Sequence, residues 1–215
     1  VSENETDVYL IQFCHELENR QAEIRRISRK LDRQRRANNP QNYDEKGRAK
    51  KGAKDWRSSN GMRRTQQQLA ELYRKQAAHR KSLHGQLVND IVQKGDVVKM
   101  EKLSYKAWQK SRMFSKSVQW RAPGLFVAKL RERMRDLDMT LIELPRWSTR
   151  FSSICHNCGT LQPKGLGERM HKCDCGVEAQ RDVYSAFLAM CYDDEMKALD
   201  GDRARRLWSK GTGSS

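Results

Sequence analysis

Apolar residues at Leu10, Phe13, Leu17, Ile24, Ile27 and Leu31 recur at three- and four-residue intervals, with one break at Arg20. This spacing predicts an amphipathic helix over Leu10–Leu31, with a heptad-like stripe. The remaining faces carry Arg25, Arg26, Arg29, Lys30, Arg33, Arg35 and Arg36. A basic stretch follows, ANNPQNYDEKGRAKKG, whose proline, glycines and asparagines predict a mobile loop. Leu69, Leu72, Tyr73, Leu83, Leu87 and Ile91 then mark the packing side of a second helix, from about Gly61 to Val92. Two long helices around one loop imply an antiparallel hairpin. The loop is longer than a plain connector requires, which points to a contact of its own.

The pattern changes at Gly95. DVVKMEKLS opens after a Gly-Asp turn and predicts a strand over Val97–Glu101. The basic, aromatic run from Tyr105 to Gly124 reads mostly as loop. GLFVAKLRERMRDLD predicts a helix with Leu125, Phe126, Lys129, Leu130, Met134 and Leu137 on one side. MTLIELP predicts a second strand, closed by Pro145. With a helix crossing over between them, the two strands are expected to be parallel. Past the cysteine-rich stretch Thr149–Gln180, a last helix is expected from Asp182 to about Leu199, with Val183, Phe187, Met190 and Cys191 on its apolar face, and then a frayed basic tail.

Composition narrows the class of partner. Of 215 residues only 37% are hydrophobic and 33% are charged, with a formal net charge of +16. That is lean for one compact core and suits long solvated helices beside a modest packed region. Between Ile11 and His84 there are 20 Lys+Arg against 8 Asp+Glu, so the hairpin holds most of the excess. The sign points to a polyanion. No apolar run reaches transmembrane length, and Val1–Leu10 lacks a signal-peptide pattern.

Four of the six cysteines form Cys155-x2-Cys158 and Cys173-x-Cys175. Zinc takes four thiolates in a tetrahedron, and two close pairs brought together by a hairpin supply them. Gly159 and Gly176, each directly after a pair, suit the positive φ of a tight knuckle. His156 and His171 stand as alternative ligands. Four protein ligands leave no open position, so the zinc is structural. Clustered thiols at metal spacing fit a reducing cytoplasm better than a disulfide framework.

Two carboxylates carry the second candidate chemistry. Glu101 ends the first strand and Asp182 opens the last helix. Acids converging from strand and helix ends at one edge of an α/β sheet can hold Mg²⁺ for phosphodiester hydrolysis. Taken singly, Glu101 reads as a strand-end surface residue and Asp182 as an N-terminal helix acid on the dipole.

At this point the chain resembles a family: the C-terminal half of transposon-encoded TnpB proteins (OrfB transposases) and the related type V CRISPR effectors. ISRKLDRQRR, the basic loop and LAELYRKQAAHRKSLHGQLVNDIV resemble the helical hairpin inserted in that family's RuvC-like nuclease domain. DVVKMEKLS resembles the strand bearing the second catalytic carboxylate, which places that role on Glu101. LIELPRWSTRFSSICHNCG resembles the run into the target-nucleic-acid-binding zinc ribbon, and AQRDVYSAFLA the motif that places the third carboxylate on Asp182. The resemblance implies a partial RuvC-like (RNase H-like) α/β fold with an inserted helical hairpin and a small zinc ribbon. It implies DNA and guide RNA as partners, structural zinc, catalytic magnesium, Arg181 as a substrate-phosphate contact, and the basic residues Arg25–Arg36 facing nucleic acid. Guide pairing, not the protein, then reads most of the sequence. A prokaryotic, nucleoid-associated setting follows.

Three departures accompany it. No early strand carries the family's first catalytic aspartate, and Asp7 lacks that strand's context. The motif's first aspartate is Gln180, and its asparagine is Tyr184. The N-terminal recognition region is missing, as in a truncated or split product. The expected division is 1–94 hairpin, 95–148 strand–helix–strand segment, 149–181 zinc ribbon and 182–215 terminal helix and tail. Weak or no cleavage by this chain alone is expected. Two rival readings stand beside it: a catalytically inactive zinc-ribbon nucleic-acid binder, and a coiled-coil interaction protein built on the Leu10–Leu31 stripe.

Overall fold

The computed structural model describes residues 10–112, 115–145, 149–165 and 167–212, with Gly211 and Thr212 as backbone alone. Asp7 lies outside the described residues. The chain divides into two compact units, Cys14–Gly85 and the remainder.

The first unit is the hairpin. Its helix α1 spans Gln21–Asn38, not Leu10–Leu31. Leu10–Arg20 forms turns, and the Asn19 side-chain oxygen accepts the Gln21 amide at 3.2 Å where the helix begins. The break at Arg20 in the apolar stripe is therefore the helix start. Covered positions on α1 (Ile24, Ile27, Leu31, Gln34, Asn38) keep the three–four spacing. Helix α2 runs over Asn60–Val92, and the Ser59 hydroxyl accepts the Met62 amide at 3.2 Å at its N-terminus. Met62, Thr65, Leu72 and Gln76 are buried in the same rhythm, whereas Tyr73 is exposed. Asn38 donates to the Ser59 hydroxyl at 3.0 Å, so the two helices meet at the loop end.

The segment expected to be a mobile loop is internally built. Pro40–Asn42 makes a 3-10 turn, and Tyr43 bridges Ala49. Asn39, fully buried, accepts the Arg57 amide and donates to the Arg35 and Arg57 carbonyls, both at 2.9 Å. Asn42 donates to the Lys54 carbonyl at 3.1 Å. Side-chain amides do here what a ladder does in a sheet: they satisfy backbone groups that a polar loop leaves open.

The second unit is mixed α/β. Strands β1 (Val97–Glu101) and β2 (Thr140–Leu144) pair in parallel, with Val98 opposite Leu141 and Glu101 opposite Leu144. Between them lie α3 (Tyr105–Lys110), α4 (Ser115–Arg121) and α5 (Pro123–Asp136). The stretch read as loop from Tyr105 thus holds two short helices, α3 and α4. On α5 the buried face is Val127, Leu130 and Met134, while Leu125 and Leu137 face solvent. Val98, Met100 and Leu141 pack on that face together with Val88, Ile91 and Val92.

Alternation sends Lys99, Glu101, Ile142 and Leu144 to the other face of the sheet. There lies α6 (Arg181–Met190), shorter than the helix expected to reach Leu199. A small hairpin follows, β5 (Tyr192–Asp193) and β6 (Ala198–Leu199), and then α7 (Gly201–Thr212) in place of a frayed tail. Asp193 accepts the Glu195 and Met196 amides at 2.8 Å, turning the chain, and Asp200 caps α7 through the Arg203 amide at 2.8 Å. Tyr184, Leu188, Cys191 and Ala204 form the centre of this core with Leu144 and Phe151. Between β2 and α6 sits an antiparallel pair, β3 (Met170–Lys172) and β4 (Glu178–Gln180). No helix among the described residues is long and apolar enough to cross a membrane.

Candidate metal centre and adjoining cleft

Two tight turns build the metal centre. In the first, Gly159 donates its amide to the Cys155 carbonyl at 2.9 Å, and the Cys155 amide donates to Thr160 at 3.0 Å. In the second, Gly176 donates to Cys173 at 2.9 Å and Cys173 to Val177 at 3.0 Å. Gly159 and Gly176 have φ of 73° and 90°, which a side chain would strain. The turns bring the Sγ atoms of Cys155, Cys158, Cys173 and Cys175 within 4.8 Å of one another. Four sulfurs bound to one zinc at about 2.3 Å stand about 3.8 Å apart, so this quartet fits the ion. The shorter spacing of the second pair does not prevent that.

The turns favour the thiolate at two of the four cysteines, whereas burial raises Cys155, and at Cys173 the Cys175 amide is outweighed by the neighbouring sulfurs and burial together, which raise the thiol to about 12. Hydrogen bonds from the Thr160 hydroxyl and amide hold the Cys158 thiol down to about 6, and the Val177 amide lowers Cys175. His156 and His171 are not in the quartet. The His156 imidazole lies 2.7 Å from the Tyr184 hydroxyl, and His171 Nδ1 lies 2.6 Å from Lys164 Nζ. Both are buried, and burial pushes both imidazoles down, aided by Arg205 at His156 and by Lys164 at His171. The Tyr184 ring stacks at 4.3 Å on His171, and its hydroxyl accepts the His156 amide at 2.9 Å. Tyr184 thus joins the ribbon to α6.

Glu101, at the end of β1, and Asp182, in the first turn of α6, line one cleft of about 450 Å³. Lys99, Ser152, Lys164, Arg181 and Ser185 line it as well. Gln180 caps α6, its side-chain oxygen accepting the Val183 amide at 2.7 Å. The Asp182 carboxylate is half exposed, with Arg181 Nε at 3.3 Å and Arg169 Nη1 at 3.8 Å. Arg181 also donates to the Gly165 carbonyl at 3.2 Å, and its amide to Arg169 at 2.7 Å, tying the ribbon loop to the helix. Among the described residues, the group of three or more metal-ligand side chains close enough to share an ion is the cysteine quartet; Glu101 and Asp182 are not joined there by a third acid.

Lys99, Lys164 and Arg169 escape motif reading. Lys99 was accessible in principle, because it stands two residues before Glu101 on the same strand face. Lys164 and Arg169 carry no comparable signal beyond being basic residues between the cysteine pairs.

The hairpin presents a different surface. Arg25, Arg26, Arg29, Lys30, Arg33, Arg35 and Arg36 are all exposed. Arg25, Arg26, Arg29 and Arg33 line an open groove of about 670 Å³ with Ala22 and Asp32.

The geometry defines a class first: a mixed α/β unit carrying a four-cysteine ribbon against a cleft lined by two carboxylates and three basic side chains. Residues 124–188, under a third of the chain, match the family model described as Cas12f1-like, TNB domain. The match covers α5, β2, both knuckles and α6 as far as Leu188, and is consistent with a TnpB/Cas12f-like protein. No curated protein matches the chain.

Proposed function

We propose that this chain is the C-terminal portion of a TnpB/Cas12f-like, RNA-guided DNA endonuclease associated with transposition. In this reading the strand–helix–strand segment and α6 are parts of a RuvC-like fold, and the ribbon binds target nucleic acid. The carrying observation is that Glu101 and Asp182, far apart in sequence, line one cleft beside the four-cysteine ribbon. Glu101 and Asp182 are the residues that would hold magnesium. Magnesium bound there activates water and stabilises the charge that develops during phosphodiester hydrolysis. Arg181 places a guanidinium at the same cleft for a substrate phosphate. The exposed arginines of α1 suit a nucleic-acid backbone, since each contacted duplex phosphate adds about 0.9 to the salt dependence of binding.

With two acids instead of three or more, weak or absent cutting by this chain alone follows. Mn²⁺, used as a paramagnetic probe, should broaden the amide signals of Ser185 and Ala186, and Asp182→Ala should remove the effect. Absence of site-specific broadening would refute metal binding in the cleft. Robust Mg²⁺-dependent cleavage lost in Glu101→Ala would refute the incompleteness. A second reading, a ribbon that binds nucleic acid without catalysis, is favoured by one observation: Arg169 and Arg181 both face the Asp182 carboxylate and compete with a metal for it. Salt-sensitive DNA binding without Mn²⁺ broadening would select it.

A further inference from the structure

The cations of the cleft are not equivalent. Lys99 is committed: its ammonium lies 3.0 Å from the Asp194 carboxylate and donates to the Tyr192 carbonyl at 2.6 Å. Arg169 faces Asp182, and Arg181 divides its guanidinium between Asp182 and the Gly165 carbonyl. Lys164 differs. Its partner is His171 Nδ1 at 2.6 Å, and no carboxylate lies within ion-pair distance of it among the described residues. An ammonium has donors and no acceptor, so Nδ1 accepts and the ring proton sits on Nε2. The lysine is thus held by a neutral group, and the nearby Glu168 favours its charge through space without an ion pair.

That arrangement is costly for a surface lysine. His171 is fully buried, and its Nε2 has no hydrogen-bond partner. A buried N–H left unmatched loses free energy that a solvated ammonium on an open loop never spends. The return is direction. His171 is fixed by ring contact with Tyr184 of α6, centroids 4.3 Å apart and planes tilted by 32°. The backbone beside Lys164 is fixed separately, through the Gly165 carbonyl to Arg181, and the far end of the loop through the Arg169 carbonyl to the Arg181 amide. Side chain and backbone are both anchored to the helix that carries Asp182.

We propose that Lys164 contacts a phosphodiester oxygen of nucleic acid bound in the cleft, and that His171 is the positioning residue that aims it. This rests on the reading that the Glu101–Asp182 cleft receives a nucleic-acid strand. The ribbon then has a second task besides scaffolding: it delivers a cation whose direct partner is a neutral imidazole.

The test is a titration of the zinc-loaded full chain, ¹⁵N-labelled, with a short single-stranded oligodeoxynucleotide over a series of salt concentrations. The amides of Ser152, Ser185 and Ala189 report on the cleft. Lys164→Gln should weaken the dissociation constant read from these signals about tenfold, as for loss of one charge-assisted hydrogen bond. It should also flatten the salt slope by about 0.7, the value for one single-strand phosphate. Lys164→Arg should restore the slope. His171→Phe keeps the ring on Tyr184 but removes the acceptor, and should weaken binding while leaving the zinc content and the dispersion of the spectrum intact. Cleft signals that shift equally in wild type and Lys164→Gln, with one slope, would overturn the role of Lys164 and leave the nuclease reading standing. Cleft signals that do not move in the wild type would overturn both.

Discussion

The hairpin and the α/β unit solve the same problem, too little apolar residue for the chain length, in opposite ways. In the hairpin the buried positions include Asn39, Asn42, Thr65, Gln76 and His84 beside only Leu17, Ile27, Met62 and Leu72. Its seam is narrow, its loop is held by side-chain amides, and its outer faces are free to carry charge. The α/β unit concentrates its apolar residues around Leu144, Phe151, Tyr184 and Leu188, and adds a cysteine quartet where that core thins out. One region is stabilised by many small polar contacts, the other by an apolar cluster on each face of its sheet and a cysteine quartet able to hold a metal. A basic surface is cheap on the first and would be hard to place on the second.

Removing zinc should separate the two regions most sharply. Structural zinc contributes about 10–16 kcal/mol of apparent binding energy, which is folding energy for a module with little core. Chelation should unfold the ribbon, Cys155–Gln180, while the far-ultraviolet signal of α1 and α2 persists. A metal content below about half an equivalent in purified protein, with the ribbon still folded, would break the comparison. Next in size is Asn39→Ala, which strands the Arg57 amide and two carbonyls in a buried loop. At about 1–3 kcal/mol for an unsatisfied buried group, urea denaturation should show a loss of that order, with faster amide exchange across Asn42–Arg57. Unchanged stability would mean that water replaces the asparagine.

The smallest effect is a pH dependence confined to the α/β unit. Burial holds the His156 and His171 imidazoles below their ordinary values, so the folded unit keeps them neutral. The unfolded chain takes up their protons first, near pH 6.5. Their contribution is therefore complete above about pH 6.5 and is lost as the pH falls through the lower folded values, at up to about 1.4 kcal/mol per pH unit for each proton. Thermal midpoints at saturating zinc should fall from pH 7.5 to 5.5, and His156→Phe should shallow that fall. An equal slope in the variant would remove His156 from the dependence and leave it to His171 and the cysteines.

What the sequence discloses follows the range of the interactions involved. The strands β1 and β2 are legible because short stretches rich in Val, Leu and Ile bounded by turn residues specify themselves locally, and the cysteine quartet because its spacing is its chemistry. The exposed arginines of α1 follow from the helical period. The start of α1 departs from the pattern because Leu10, Phe13 and Leu17 continue the helical rhythm by chance, while the chain turns at Asn19–Gln21. The end of α6 was misread because Glu195, Met196, Lys197 and Ala198 favour helix, whereas the Asp193 turn and the Lys99–Asp194 ion pair hold a hairpin there. Asp200 before Gly201 is a readable cap, and it starts a helix where the basic composition alone suggests a frayed tail. The clustering of Glu101, Lys164 and Asp182 is not readable from any window of sequence, since a strand, a ribbon loop and a helix must first pack.

The matched segment stops at Leu188, but the packing does not. Tyr184 and Phe187 lie against Trp208, at ring separations of 5.6 and 5.4 Å, and Cys191, Tyr192 and Ala204 close the same core. For anyone wishing to transplant this ribbon, the seam visible in sequence is the wrong place to cut. A graft ending at Leu188 would carry a raw aromatic wound, and a usable donor fragment runs on through α7.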